Sequence, residues 1–347
     1  VSAAAASVGS NHVARMLADY GAKVREAVMN YLPDREPRRY LYDLLRDYPE
    51  RGGRMMRPTL CIATTRAFGG RLEDAISIAA SLELIHNAAL IHDDIEDESL
   101  ERRGRPTMHV LHGTPMAINA GDALMLLSFE PLLASRARLG NVLALRIVQE
   151  TARVARETAE GQAIELGWRQ ENVRITEADY LNLVLKKTCW LTTIHPLRLG
   201  GLIGTRGAID PDRFVRLGFF LGAAFQVQDD LLNLIGDHAR YGKELEGDLL
   251  EGKRSMLLVH LWNQASDSER ERIDAFFDTS RAERQLETVR WIRKMMDHYD
   301  CIDYVRQFAH GLAGAAANEF DLVFGGLKPS DDRDFVEGLV TWVLERV

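Results

Sequence analysis

Apolar positions recur with a helical period along almost all of this 347-residue chain, and the strict alternation that marks a half-buried strand is nearly absent. Alanine, leucine, arginine and glutamate dominate, while glycine and proline gather at breaks such as Pro33–Pro37, Gly52-Gly53, Gly69-Gly70, Gly104–Pro106, Gly207–Pro211 and Gly325–Pro329. The pattern predicts an all-α fold, one large helical bundle. Two segments are apolar on nearly every side. Leu72–Asp97 reads as one long helix whose middle, Ala79 to Ile91, lacks a polar face, and Arg213–Asn233 reads the same way. Helices of that kind belong at the centre of a bundle. In the second, Gly218 and Gly222 stand four apart, allowing close approach of another helix or leaving room for a ligand.

No internal repeat and no linker-like composition divides the chain, so residues 1–347 are expected to form a single domain, with the alanine-rich residues 1–10 expected to fray. Hydrophobic residues make up 46%, enough for a large core, and the net charge of -8 argues against nucleic acid, which needs a basic footprint. Three cysteines, Cys61, Cys189 and Cys301, have no metal-type spacing and suggest a reduced, cytoplasmic setting. No leader-like segment is read at the start. The apolar stretch Phe214–Val227 is interrupted by Arg216 and too short to span a bilayer, so no transmembrane segment is expected.

The candidate chemistry lies at the ends of the two apolar helices. Asp93-Asp94-Ile95-Glu96-Asp97 closes the first and Asp229-Asp230-Leu231-Leu232-Asn233 the second. An acidic run is ordinarily a solvated helix face. Here each run follows apolar helix instead, and Asp93 and Asp97, four apart, aim their carboxylates the same way. Hard oxygen ligands on a rigid element suit Mg²⁺, which fills its octahedron with water and phosphate oxygens. A diphosphate substrate follows. If the two helices face one another, Asp93, Asp97 and Asp229 converge at the mouth of a cavity in the bundle, above an apolar shaft.

With these motifs the chain resembles the trans-isoprenyl diphosphate synthases, or polyprenyl synthetases. Gly52-Gly53-Arg54-Met55-Met56-Arg57-Pro58 is similar to that family's GGKxxRP. His86, Arg102-Arg103-Gly104, Gly161-Gln162, Lys187-Thr188, Phe225-Gln226 and the stretch from Gly242-Lys243 through Asp248 to Glu251-Gly252-Lys253 follow in the family's order. The resemblance runs from Gly52 to His260. It implies an isoprenoid-synthase bundle with a central active-site cavity that condenses isopentenyl diphosphate with an allylic diphosphate. Asp93, Asp97 and Asp229 would hold Mg²⁺, three ions once diphosphate is bound. Arg102, Lys187, Lys243 and Lys253 would contact the allylic diphosphate, while Arg54, Arg57, Arg103 and His86 would hold isopentenyl diphosphate. The Lys187 carbonyl, the Thr188 hydroxyl and the Gln226 amide would offer dipoles to a carbocation, and the departing pyrophosphate would take the proton. The family is also generally homodimeric.

Three positions depart from the family pattern: Arg54 for lysine, Glu165 for aspartate, and Asn233 for the third aspartate of the second motif. The last opens a rival reading, since Asp229, Asn233 and Asp237 at i, i+4, i+8 loosely resemble the metal triad of class I terpene cyclases. A non-catalytic partner subunit of a prenyl synthase is a third possibility. Short-product family members carry bulky aromatics four or five residues before the first aspartate, where this chain has Ala89 and Ala88. Those alanines, with Ile85 and Leu84 below them and Met125 or Phe129 as stops, imply geranylgeranyl diphosphate or a longer product.

Overall fold

The computed structural model describes residues 3–235 and 247–345. Its principal helices are α1 (Ala3–Tyr31), α2 (Asp43–Glu50), α3 (Met56–Ala67), α4 (Leu72–Glu96), α5 (Thr114–Leu127), α6 (Asn141–Gln170), α7 (Glu177–Val184), α8 (His195–Gly204), α9 (Val215–Ile235), α10 (Cys301–Phe324) and α11 (Asp331–Glu345). Residues 3–10 form the first turns of α1.

Both predicted central helices are central. α4 packs against α1, α3 and α5, and α9 packs against α10 and the segment Leu185–Ile194. That segment prolongs α7 as a π-helix, a wider winding that often marks a functional site. A Cβ at Gly222 would stand 2.5 Å from the Thr193 hydroxyl, and one at Gly218 would stand 2.7 Å from the Ile194 Cα, so these glycines serve close helix approach. The buried side chains form two apolar clusters, one around α9, α10 and the π-helical segment, the other around α4, α1 and α5.

Where the first aspartate motif ends, the chain turns back in a two-residue antiparallel ladder, Glu101–Arg102 against Arg105–Pro106. Arg103 (φ 54°) and Gly104 (φ 70°) are its central residues. Positive φ at both is the tight hairpin turn, and a non-glycine residue there is held at some conformational cost. The result fixes Arg102 and Arg103 close to α4. Upstream, α2 ends at Gly52 with φ 79°, the expected helix-ending turn.

The three cysteines are buried free thiols. Among the described residues two stretches could cross a membrane by length and composition, Leu72–Glu96 and Thr114–Leu139, neither being the Phe214–Val227 run that the sequence singles out. The first is the core helix α4. The second is less covered.

Candidate active site

A cavity of about 790 Å³ opens along the seam between the two apolar clusters. Met56, Ile85, Val154 and Leu191 reach it from one cluster, Met55 and Leu90 from the other. Asp93 on α4 and Asp97 just past its end, Asp229 and Asp230 on α9, and Asp248 all line it, so the two aspartate motifs meet on one space. Among the described residues no three acidic, histidine or cysteine side chains are already gathered tightly enough to cage an ion by themselves. The carboxylates line the walls rather than forming a closed cluster. An ion held there would complete its shell with other oxygens, as Mg²⁺ does.

The charges along these walls are uneven. Loss of water raises the Asp93 carboxyl, and although Lys187 opposes this, Asp97 and Glu165 add to it. Burial would raise Asp97 too, but Lys253, Lys187 and Arg169 outweigh it and hold Asp97 well below the usual carboxylate range. Asp93 is thus an under-compensated anion facing the cavity, and a divalent cation is the kind of charge that would relieve it. Together with the all-oxygen donor set, this fits Mg²⁺.

Lys187 comes from the π-helical segment and pairs with Glu165 of α6. Burial works against its charge, yet Glu165 and Asp93 raise it above the ordinary lysine range. Lys253 stands among Asp97 (3.1 Å), Asp248 (3.4 Å) and Glu251. The family's aspartate being replaced by Glu165 therefore leaves a carboxylate inside the cavity and in contact with Lys187. The Thr188 hydroxyl donates to Gln226 Oε1 at 2.9 Å, and the Gln226 amide donates to Asp230 at 2.8 Å. Asp230, buried and close to Asp248, is pushed up to about 7, with Gln226 and the Tyr180 hydroxyl (2.7 Å) as hydrogen-bond partners.

The second basic set also opens on the cavity. Arg57 Nη1 lies 3.2 Å from His86 Nε2, and its Nη2 donates to the Thr192 hydroxyl at 2.7 Å. Burial, then Arg57, Arg103 and Arg102, press the His86 ring well below its ordinary value, so it is neutral and its Nε2 accepts from Arg57. Arg57 Nε is buried with no hydrogen-bond partner among the described residues. Arg54, more exposed, reaches the cavity rim, its guanidinium 5.7 Å from the ring of Trp342. Arg103 folds over Gly53, where a Cβ would stand 2.7 Å from its Nη2. That contact gives the first motif's glycine a packing reason.

Several of the expected site residues have protein partners of their own or lie off the cavity wall. Arg102 lines the cavity, but two of its nitrogens are committed to the fully buried Asp94, Nε at 2.7 Å, and Asp94 also accepts from the Tyr48 hydroxyl at 2.5 Å. Asn233 is buried and takes the backbone N–H of Asp248 at 3.2 Å. It ties two chain segments together. Ala88 is fully buried inside the α4 cluster and is not on the cavity wall, whereas Ala89, Ile85 and Met125 are. Leu84 and Phe129 are off the wall as well. Lys243, Gly242 and Asp237 lie outside the described residues.

Sequence reasoning missed the Tyr48–Asp94–Arg102 clasp, the buried Glu83 held by Asn87 (3.0 Å), and Arg169 on Asp97 (2.7 Å). The Glu83–Asn87 pair has the i, i+4 spacing of helix neighbours and could have been read locally, whereas Tyr48 with Asp94 and Arg169 with Asp97 join distant parts of the chain and leave no local signal. Gly161 is the reverse case. A Cβ there would come within 2.4 Å of the Lys187 backbone nitrogen, so α6 touches the π-helical segment backbone to backbone. In an ordinary helix interior Gly→Ala gains about 0.5–1 kcal/mol. Gly161→Ala is instead expected to destabilise by about 1–3 kcal/mol through overpacking, read as a lowered denaturation midpoint.

A profile of the Polyprenyl synthetase family matches residues 38–296. The chain is 31% identical over 336 residues to a geranylgeranyl pyrophosphate synthase of Geoglobus acetivorans, covering 96% of this chain and 99% of that one. Its fold superposes on the geranylgeranyl pyrophosphate synthetase of Pyrococcus horikoshii with a TM-score of 0.83 at 30% identity, over 96% and 99% of the two chains. A third similar structure is a geranylgeranyl pyrophosphate synthase of Corynebacterium glutamicum complexed with isoprenyl diphosphate and magnesium, TM-score 0.82 at 25% identity, covering 94% of this chain and 99% of that one.

Proposed function

This chain belongs to the polyprenyl synthetase family, and within it we propose a trans-prenyltransferase that condenses isopentenyl diphosphate with an allylic diphosphate to give geranylgeranyl diphosphate or a longer product. The observation that carries this reading is the shared cavity, whose lining combines acidic side chains, two basic sets and apolar residues such as Ile85, Ala89, Met125 and Val154. Two basic sets fit two diphosphates.

Lys187 and Lys253, set among carboxylates, turn to the allylic diphosphate, and Arg102 adds the face that Asp94 leaves available. Lys243 is assigned to the same set from the motif alone. Asp93, Asp97 and Asp229 would hold Mg²⁺, three ions once diphosphate is bound, and the metal would supply Lewis-acid withdrawal of charge from the leaving diphosphate. Arg57, Arg103, Arg54 and neutral His86 hold isopentenyl diphosphate, and the buried Arg57 Nε, without a hydrogen-bond partner among the described residues, is a donor ready for one of its oxygens. The C–O bond of the allylic substrate breaks, the double bond of isopentenyl diphosphate forms the new C–C bond, and the proton passes to pyrophosphate. Thr188 and Gln226, already hydrogen-bonded to each other, present fixed dipoles to the carbocation, and the apolar walls exclude water.

The cyclase reading loses its support with Asn233, whose amide oxygen is spent on a backbone N–H. A partner subunit without activity would not need two basic sets on one cavity. Incubation with Mg²⁺, isopentenyl diphosphate and each allylic starter, followed by separation of products by chain length, tests the proposal. Prenyl diphosphates longer than the starter are expected. Cyclised hydrocarbon made without consuming isopentenyl diphosphate would overturn it.

We also propose a homodimer in the cytoplasm. Leu126, Leu133, Val142 and Leu145, on α5, α6 and the short helices between them, are 71%, 61%, 87% and 60% exposed, apolar side chains of the sort that another protein surface covers. Three buried free thiols suit a reducing compartment. A monomeric mass in sedimentation would count against the dimer.

A further inference from the structure

Asp97 stands at the end of α4, where a helix frays and its last carbonyls have no intrahelical partner. A metal-binding carboxylate at such a place needs an anchor from elsewhere. Two arginines supply one, and neither belongs to any motif. Arg169, in the last turn of α6, donates Nη1 to Asp97 Oδ1 at 2.7 Å, and Arg281, in the turn Arg281–Glu283, donates to the Asp97 backbone carbonyl at 2.5 Å. Asp97 lines the cavity and Arg169 does not. Its other oxygen, Oδ2, faces Lys253, a cavity residue, at 3.1 Å. The two oxygens therefore have different duties: one is fastened from outside the wall, the other is offered within it.

We infer that Arg169 is a positioning residue for Asp97, fixing Oδ1 from behind so that Oδ2 is presented to a metal ion, with Arg281 pinning the backbone of the same residue. The inference rests on the proposed reading of the cavity as a magnesium-dependent site. Hydrogen-bonded partners behind a ligating carboxylate typically set metal affinity by about 10- to 100-fold. The sign distinguishes positioning from simple charge balance. Removing a cation beside an acidic site would, on charge alone, tighten metal binding, whereas loss of an anchor weakens it.

The test measures Mn²⁺ affinity of the full chain by electron paramagnetic resonance in the presence of inorganic pyrophosphate. Arg169→Gln is expected to bind about 10- to 100-fold more weakly, with its thermal midpoint within about 2 °C of the parent. Arg169→Lys keeps the charge but gives up the planar fork and should recover part of the affinity. Unchanged or tighter binding by folded Arg169→Gln overturns the inference. Should that variant not fold, Arg169→Lys is read alone, and parental affinity in it overturns the inference equally. A parent chain that binds no Mn²⁺ beside pyrophosphate sinks the proposed site itself, a failure distinct from either variant result.

Discussion

Asp93→Asn is expected to lower kcat about a thousandfold, the upper end of what one preorganised electrostatic contact contributes, while leaving the protein as stable as before or slightly more so. The two effects have one cause. Burial and the neighbouring Asp97 and Glu165 disfavour charge on Asp93, and Lys187 only partly compensates, so the fold carries this anion at a cost. Asparagine keeps the shape and removes the charge. A carboxyl raised in the folded state favours the neutral form, and stability attributable to it diminishes as pH rises from the unfolded value through the folded one. A neutral replacement escapes that loss near neutral pH. Steady-state kinetics across a Mg²⁺ titration, beside a thermal melt, checks both halves. Near-parental turnover would mean that Asp93 is not part of the metal cradle, and a large drop in melting temperature would mean that its charge supports the fold instead.

Ala89→Phe is expected to shorten the main product by at least one isoprene unit, with the ratio of longer to shorter products falling more than about tenfold, the effect of a few kcal/mol of steric exclusion. Ala89 lies on the cavity wall one turn below Asp93, with Ile85 a turn further down and Met125 also on the wall. A phenyl ring there blocks the shaft. The neighbouring Ala88 provides the control. It is fully buried among the side chains of its cluster, so Ala88→Phe should destabilise by about 1–3 kcal/mol through overpacking without a defined change in product. Chromatography of the products from geranyl and farnesyl starters separates the cases. An unchanged profile for a folded Ala89→Phe protein would refute the shaft as the ruler of product length.

The contrast between Ala88 and Ala89 also marks the limit of what the linear order of residues can reveal. Adjacent positions on a helix differ by about 100° in direction, so a motif can place both alanines beneath Asp93 without saying which of them faces the shaft. Arg102 is a second instance: its place after the first motif is plain, but its commitment to Asp94 depends on a tight turn that brings it back onto α4. Asn233 is a third, a departure that opened the cyclase reading and whose amide oxygen fastens the backbone at Asp248.

The sequence by itself determined the helical bundle, the two buried helices and the chemistry of their acidic ends, because periodicity, apolar content and donor type are local properties carried by neighbouring residues. Which carboxylate is left under-compensated, which alanine meets the cavity, and which distant arginines hold Asp97 in place were decided only by tertiary structure. Those outcomes depend on burial and on partners tens to hundreds of residues away, such as Arg169 and Arg281. Electrostatics and packing act between surfaces brought together by folding, and no stretch of chain contains both surfaces.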